Sequence, residues 1–101
     1  MSKADEIFEI YGYKQVNCNP ICNEYRENNH LKNAIFYEKE NHFNKEIKEI
    51  YDFVYIIFDL DKKKFVKWNY SHQTIMYINM QEFQAISLKC RELGWIGGED
   101  E

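Results

Sequence analysis

Four groups of residues in this chain have types and spacings that could do chemistry. Cys18 and Cys22, with His30 and His42 downstream, offer thiolate and imidazole ligands of the kind zinc takes. Their C-x3-C spacing is not one of the common zinc knuckles, and Pro20 between the thiols explains a turn without metal. Two small buried or half-buried thiols are the preferred reading. The stretch DLDKKKFVKWNY opens like a calcium loop with Asp59 and Asp61, but Lys64 stands where that loop needs glycine and Tyr70 where it needs a bidentate glutamate. A β-turn fits better. His72 sits in a strand connection with no carboxylate or nucleophile near it in sequence to hold it for proton transfer, so it reads as a solvated loop histidine. The Gly97-Gly98 pair does not fit a phosphate-binding loop. The expectation is a chain with no catalytic residues, no metal and no cofactor.

The fourth group is aromatic. In DFVYIIF one face of a strand would carry Phe53, Tyr55 and Ile57 and the other Val54, Ile56 and Phe58, so neither face is polar. A sheet with one wet face normally alternates apolar and polar residues. The neighbouring segments repeat the pattern, with Phe65 against Val66, Trp68 and Tyr70, and with Ile75 and Tyr77 against Met76 and Ile78. Two short helices can cover one face only. The surplus predicts a partner surface built from Phe53, Tyr55, Ile57, Trp68, Tyr70 and Tyr77, rich in the Tyr and Trp that anchor interfaces. The competing structural reading folds residues 18–30, residues 41–50 and Trp95-Ile96 over that face. An alternative functional reading stacks single-stranded nucleic acid on Tyr55, Trp68 and Tyr70, beside Lys62, Lys63, Lys64 and Lys67.

The elements that must position these residues can be read from periodicity. Ser2 caps a first helix over 3–11 whose stripe is Ala4, Ile7, Phe8 and Tyr11, with Gly12 as the left-handed residue beyond its end. YKQVN (13–17) alternates as a short strand. NCNPIC is a turn built on Asn19-Pro20, and ICNEYRE reads as a short strand pairing back. NAIFYEKE (33–40) is a better strand, and residues 51–70 form a hairpin with Asp61-Lys62-Lys63 at its tip. Between them, NHFNKEIKEI is either a helical turn, with Lys45–Glu49 and Lys48–Asp52 four apart, or an extension of the next strand. TIMYINM (74–80) is the last strand, entered through the short linker YSHQ. A final helix has Asn79 as N-cap, Glu82 at its third position, a stripe of Phe83, Ile86, Cys90 and Leu93, and Gly94 at its end with Trp95 or Ile96 folding back. The fold class is therefore α+β: an N-terminal helix, a four- to five-stranded antiparallel meander and a C-terminal helix.

Size and charge limit the function classes. At 101 residues the chain is expected to be one domain over 1–96, with an acidic Gly-Gly tail at 97–101. The net charge of −4 owes three of its 17 acids to Glu99, Asp100 and Glu101, so the body is near neutral. A basic footprint for duplex nucleic acid is absent, which makes nucleic acid the lesser partner. No run of about 18 apolar residues exists, and the start lacks an apolar signal core. Three cysteines form an odd set, which suits reduced thiols in a cytoplasm better than a disulfide framework.

Two terminal stretches carry a resemblance. ADEIFEIYGYK, together with INMQEFQAISLKCRELGW, resembles small phage and prophage proteins of low-GC Gram-positive bacteria. Those open with a helix and a Gly-Tyr-Lys-like turn and close with an Ile-Thr-Met-x-Glu helix ending in Glu-Leu-Gly-Trp; here Asn79 replaces the Thr and keeps a capping oxygen. The resemblance covers only the two ends. It implies a phage-associated origin in a bacterial host and brings no catalytic residues. The expected function is a non-enzymatic protein-binding module whose partner is a host or phage protein, such as a defence nuclease inhibited in an anti-CRISPR-like way, or a second copy of the chain in a homodimer.

Overall fold

A computed structural model describes residues 2–17, 19–44 and 49–96, with side chains described except at 42–44 and 49–51. The chain order is α1 (Lys3–Ile10), β1 (Lys14–Val16), α2 (Pro20–Asn28), β2 (Ala34–Asn44), β3 (Glu49–Asp59), β4 (Lys64–Asn69), β5 (Thr74–Ile75) and α3 (Met80–Glu92). The five strands form one antiparallel meander in sequence order. This is the expected α+β fold, with a third helix added.

The added helix is α2, where a short strand was expected. Its start follows from Asn19-Pro20. The Asn19 side chain accepts a hydrogen bond from the Cys22 N–H at 2.8 Å, and proline at the first helical position supplies a fixed φ and gives up an N–H that had no partner anyway. All three helices end in the same way. The residue beyond each cap is left-handed, and the next N–H reaches back to the third-last helical carbonyl: Tyr13 to Phe8, Leu31 to Arg26 and Trp95 to Cys90. Gly12 and Gly94 fill that position for α1 and α3, but α2 uses His30 at φ 56°.

Residues 49–50 extend the following strand as one reading expected, whereas 41–44 extend the preceding strand β2, which neither reading expected; among these residues there is no helical turn. The pairs involving Lys45 and Lys48, the thiol of Cys18 and the acidic tail lie outside the described residues. The last strand is shorter than expected. Only Thr74 and Ile75 pair with β4, although the Met76 N–H still donates to Lys67 O at 2.9 Å.

One sheet face is closed by α1 and α3. Phe8, Tyr13, Tyr37, Val54, Ile56, Phe58, Ala85, Ile86 and Cys90 form the core there, with Phe8 stacked on Tyr37 at 4.0 Å. The inward stripe of α3 differs from the expected one. Glu82, Ala85, Ile86 and Cys90 are buried, whereas Phe83 is turned about a quarter of the way round the helix and is exposed. The cause is polar. Glu82 is drawn under the helix by Tyr13 Oη at 2.7 Å and Lys67 Nζ at 3.0 Å, and it closes the capping box through the Asn79 N–H at 3.1 Å.

Candidate functional site

The second sheet face is where the expected partner surface falls, and α2 lies across it. Cys22 packs with Phe36, Tyr55 and Ile57, all buried. Tyr25 reaches further along the sheet, meeting Phe36 at 6.1 Å and 85° and Trp68 at 5.3 Å and 64°. These edge-to-face contacts are the favoured arrangement of aromatic quadrupoles. The helix therefore shelters β2 and β3 but stops at β4. Between α2 and β4 a cavity of about 240 Å³ opens, with Phe36, Tyr55 and Ile57 toward the sheet and Tyr25, Trp68 and Tyr70 around it. A second cavity, of about 310 Å³, shares Tyr25, Asn29 and Ile57 with the first and runs toward Val66 and Lys64.

The polar groups of this face are paired. The Tyr55 hydroxyl donates to Glu38 Oε2 at 2.6 Å, and Asn19 Nδ2 donates to the same oxygen at 3.4 Å. Burial first, then the neighbouring Glu38 carboxylate, pushes the Tyr55 phenol far above its usual value. The same two causes push the Cys22 thiol up to about 11, so it stays protonated at neutral pH. A protonated, buried sulfur is a poor nucleophile. Among the described residues, no group of three or more His, Cys, Asp and Glu is placed to hold a metal ion.

The six residues expected to bind a partner separate into three kinds. Tyr55 and Ile57, 1% and 2% exposed, are closed off by α2 and offer no surface to another molecule. This corrects the expectation of an open sheet face, and the reason is the helix that Asn19-Pro20 begins. Phe53, Trp68 and Tyr70 are half-buried, with Trp68 and Tyr70 on the cavity wall. Tyr77 is 97% exposed. Trp68 and Ile75 are register partners on β4 and β5 and so share a face, and Ile75 is 69% exposed. The uncovered part of the face is thus its β4–β5 margin.

The aromatic-lysine strip is not continuous. Successive residues of a strand point to opposite faces, so Lys67 lies beneath α3, 3.0 Å from Glu82, while Trp68 lies on the α2 side. Lys62, Lys63 and Lys64 are exposed at the tip of the β3–β4 hairpin. Asp59 accepts from the N–H groups of Asp61 and Lys62, both at 3.1 Å, which makes this segment the expected turn rather than a calcium loop. His72 is exposed, and its N–H donates to Asn69 Oδ1 at 2.7 Å.

Sequence reasoning named residues 18–30 as a possible cover of this face but read them as a strand, and so missed Tyr25 as a wall of the cleft. The signal was present in Asn19-Pro20, an N-cap followed by proline at the first helical position. No helix of the described residues is long and apolar enough to cross a membrane. Comparison with protein-family models, with curated proteins and with solved structures finds no match.

Proposed function

We propose that this chain is a non-enzymatic protein-binding module that engages its partner through the β4–β5 margin of the second sheet face. The observation that carries the reading is the exposure of Tyr77, at 97%, and Ile75, at 69%, just beyond the part of the sheet that α2 shelters. Single exposed apolar residues are ordinary, but these two continue a row that includes Trp68 and Tyr70, and Tyr and Trp are the side chains that most often anchor interfaces. The backbone supports the same reading. β5 pairs through only two residues, and a sheet edge with free N–H and C=O groups can accept an added strand.

In the phage setting that the terminal motifs resemble, the partner is a host or phage protein, with a defence nuclease inhibited by the chain as the favoured case. A homodimer through the same margin is the alternative occupant. Sedimentation at micromolar concentration, alone and with host lysate, tests the reading against an Ile75→Ser/Tyr77→Asp variant. The expected result is a complex formed by the native chain and lost in the variant, with unchanged circular dichroism. A strictly monomeric native chain that captures nothing would overturn it.

A further inference from the structure

The cavity between α2 and β4 has a composition unlike that of an ordinary packing gap. Five of its lining residues are aromatic: Tyr25, Phe36, Tyr55, Trp68 and Tyr70. Neighbouring rings meet at steep angles, 64° for Tyr25 with Trp68, 85° for Tyr25 with Phe36 and 86° for Phe36 with Tyr55. Such angles build corners rather than a flat stack. Of the residues that line it, Glu24 alone carries a charge at neutral pH; the other polar side chains are the amides of Asn28, Asn29 and Gln73, the Tyr25, Tyr55 and Tyr70 phenols, the Trp68 indole and the Cys22 thiol. The volume of about 240 Å³ would hold roughly eight waters, room for a compact polyatomic group.

Aromatic rings carry negative charge density on their faces, and a carboxylate at the rim adds to the attraction for a cation. Two further carboxylates act on the walls: Glu38 on Tyr55 and Cys22, and Asp59 on Tyr25. The chain already satisfies one of these rings in this way, with the Arg26 guanidinium 5.0 Å from the Phe36 centroid.

We propose that this cavity is a binding site for an alkylated ammonium group, held by cation–π attraction to Tyr25, Trp68 and Tyr70 and by the Glu24 carboxylate. The ligand class is a small quaternary ammonium ion of choline size. The site shares Trp68 and Tyr70 with the protein-binding margin but needs neither Ile75 nor Tyr77, so an Ile75→Ser/Tyr77→Asp variant should still bind the ammonium ion.

The test is a titration of the full chain with tetramethylammonium and with choline, followed by the two tryptophan indole N–H signals in a proton–nitrogen correlation spectrum. Trp68 is in the cavity wall, whereas Trp95 packs on the opposite sheet face, 6.0 Å from Phe58. The expected result is a saturable shift of the Trp68 signal with the Trp95 signal still. Binding should be about tenfold tighter than that of the neutral isostere 3,3-dimethylbutanol, between the roughly two- to fivefold of an exposed cation–π contact and the roughly thirtyfold of a desolvated one. Glu24→Gln, an exposed position that leaves the fold intact, should weaken choline binding severalfold without changing binding of the isostere. Equal affinity for the isostere would reduce the site to an apolar cavity and overturn the proposal. So would a Trp68 signal that does not move at tens of millimolar ligand.

Discussion

Lys67 and Trp68 are neighbours in the chain and stand on opposite sides of the sheet. The Lys67 ammonium lies 3.0 Å from Glu82 under α3, while the Trp68 ring packs edge-to-face on Tyr25 under α2. One strand thus ties both helical layers to the meander, by an ion pair on one side and an aromatic corner on the other. The two ties differ in what they cost when broken.

Glu82 accepts from Tyr13, Lys67 and the Asn79 N–H while 4% exposed, and Lys67 is 11% exposed. Glu82→Ala would leave the lysine charge and the tyrosine hydroxyl buried without an acceptor. The expected loss is about 3–5 kcal/mol, the cost of breaking a buried pair by removing one partner. Urea denaturation of the variant measures it. A loss below about 1 kcal/mol would mean that Lys67 swings into solvent and that the pair does not fasten α3.

Asp52 sets an acid limit on stability. Burial acts to raise its pKa, but hydrogen bonds from Asn69, Asn41 and Ser71 outweigh burial and hold it at about 2, against an ordinary value of 3.8. The folded state therefore keeps this carboxylate charged where the unfolded chain protonates it. Its contribution is fully present above 3.8 and is lost as pH falls through about 2. Glu82 is shifted in the same direction. Denaturation midpoints taken from pH 6 down to pH 2 should fall steeply in the last two units, and Asp52→Asn should flatten part of that fall while lowering stability at pH 6. An unchanged slope in Asp52→Asn would remove Asp52 as a cause.

How much of this was legible beforehand depended on whether a residue's role is local. The caps were legible, because Ser2, Asn79, Gly12 and Gly94 act within a few residues of themselves. The meander was legible too, because alternation and turn residues mark strands directly. The doubly apolar β3 correctly signalled a second cover, for which a missing partner and the chain's own residues 18–30, read as a strand, were both expected candidates. The cover is α2, whose start at Asn19-Pro20 also reads as a turn, and whose short apolar set of Ile21, Cys22 and Tyr25 fits either period. Lys67 and Glu82 were illegible for a different reason. Fifteen residues separate them, each looks like a surface charge, and only the three-dimensional register brings them together.

Cys22 and Cys90 should both be unreactive in the folded chain. The Cys22 thiol is pushed up to about 11 by burial and by Glu38, and burial alone raises Cys90. Thiolate is the reactive form, so alkylation at pH 8 should be far slower at these two positions than in urea, with each site followed by mass spectrometry of its peptide. Modification of Cys22 at the unfolded rate would mean that α2 lifts from the sheet readily, and the closed face described for Tyr55 and Ile57 would then be open part of the time.

His30 offers a stabilising change that follows from geometry alone. It holds φ at 56° beyond the end of α2, where its N–H donates to Glu27 O at 3.3 Å and the Leu31 N–H donates to Arg26 O at 2.8 Å. A residue with a Cβ loses about 1–2 kcal/mol in this region, because the Cβ crowds the following carbonyl. Glycine removes that strain and gives back about 0.4–1 kcal/mol through the greater freedom of the unfolded chain. The imidazole itself is exposed and makes no hydrogen bond among the described residues, so little packing is lost. His30→Gly should therefore raise stability by about 0.5–1 kcal/mol, read as a higher urea midpoint at unchanged slope. Because α2 is the lid of the second sheet face, the same variant should slow alkylation of Cys22. A destabilised variant would show that α2 ends differently from α1 and α3.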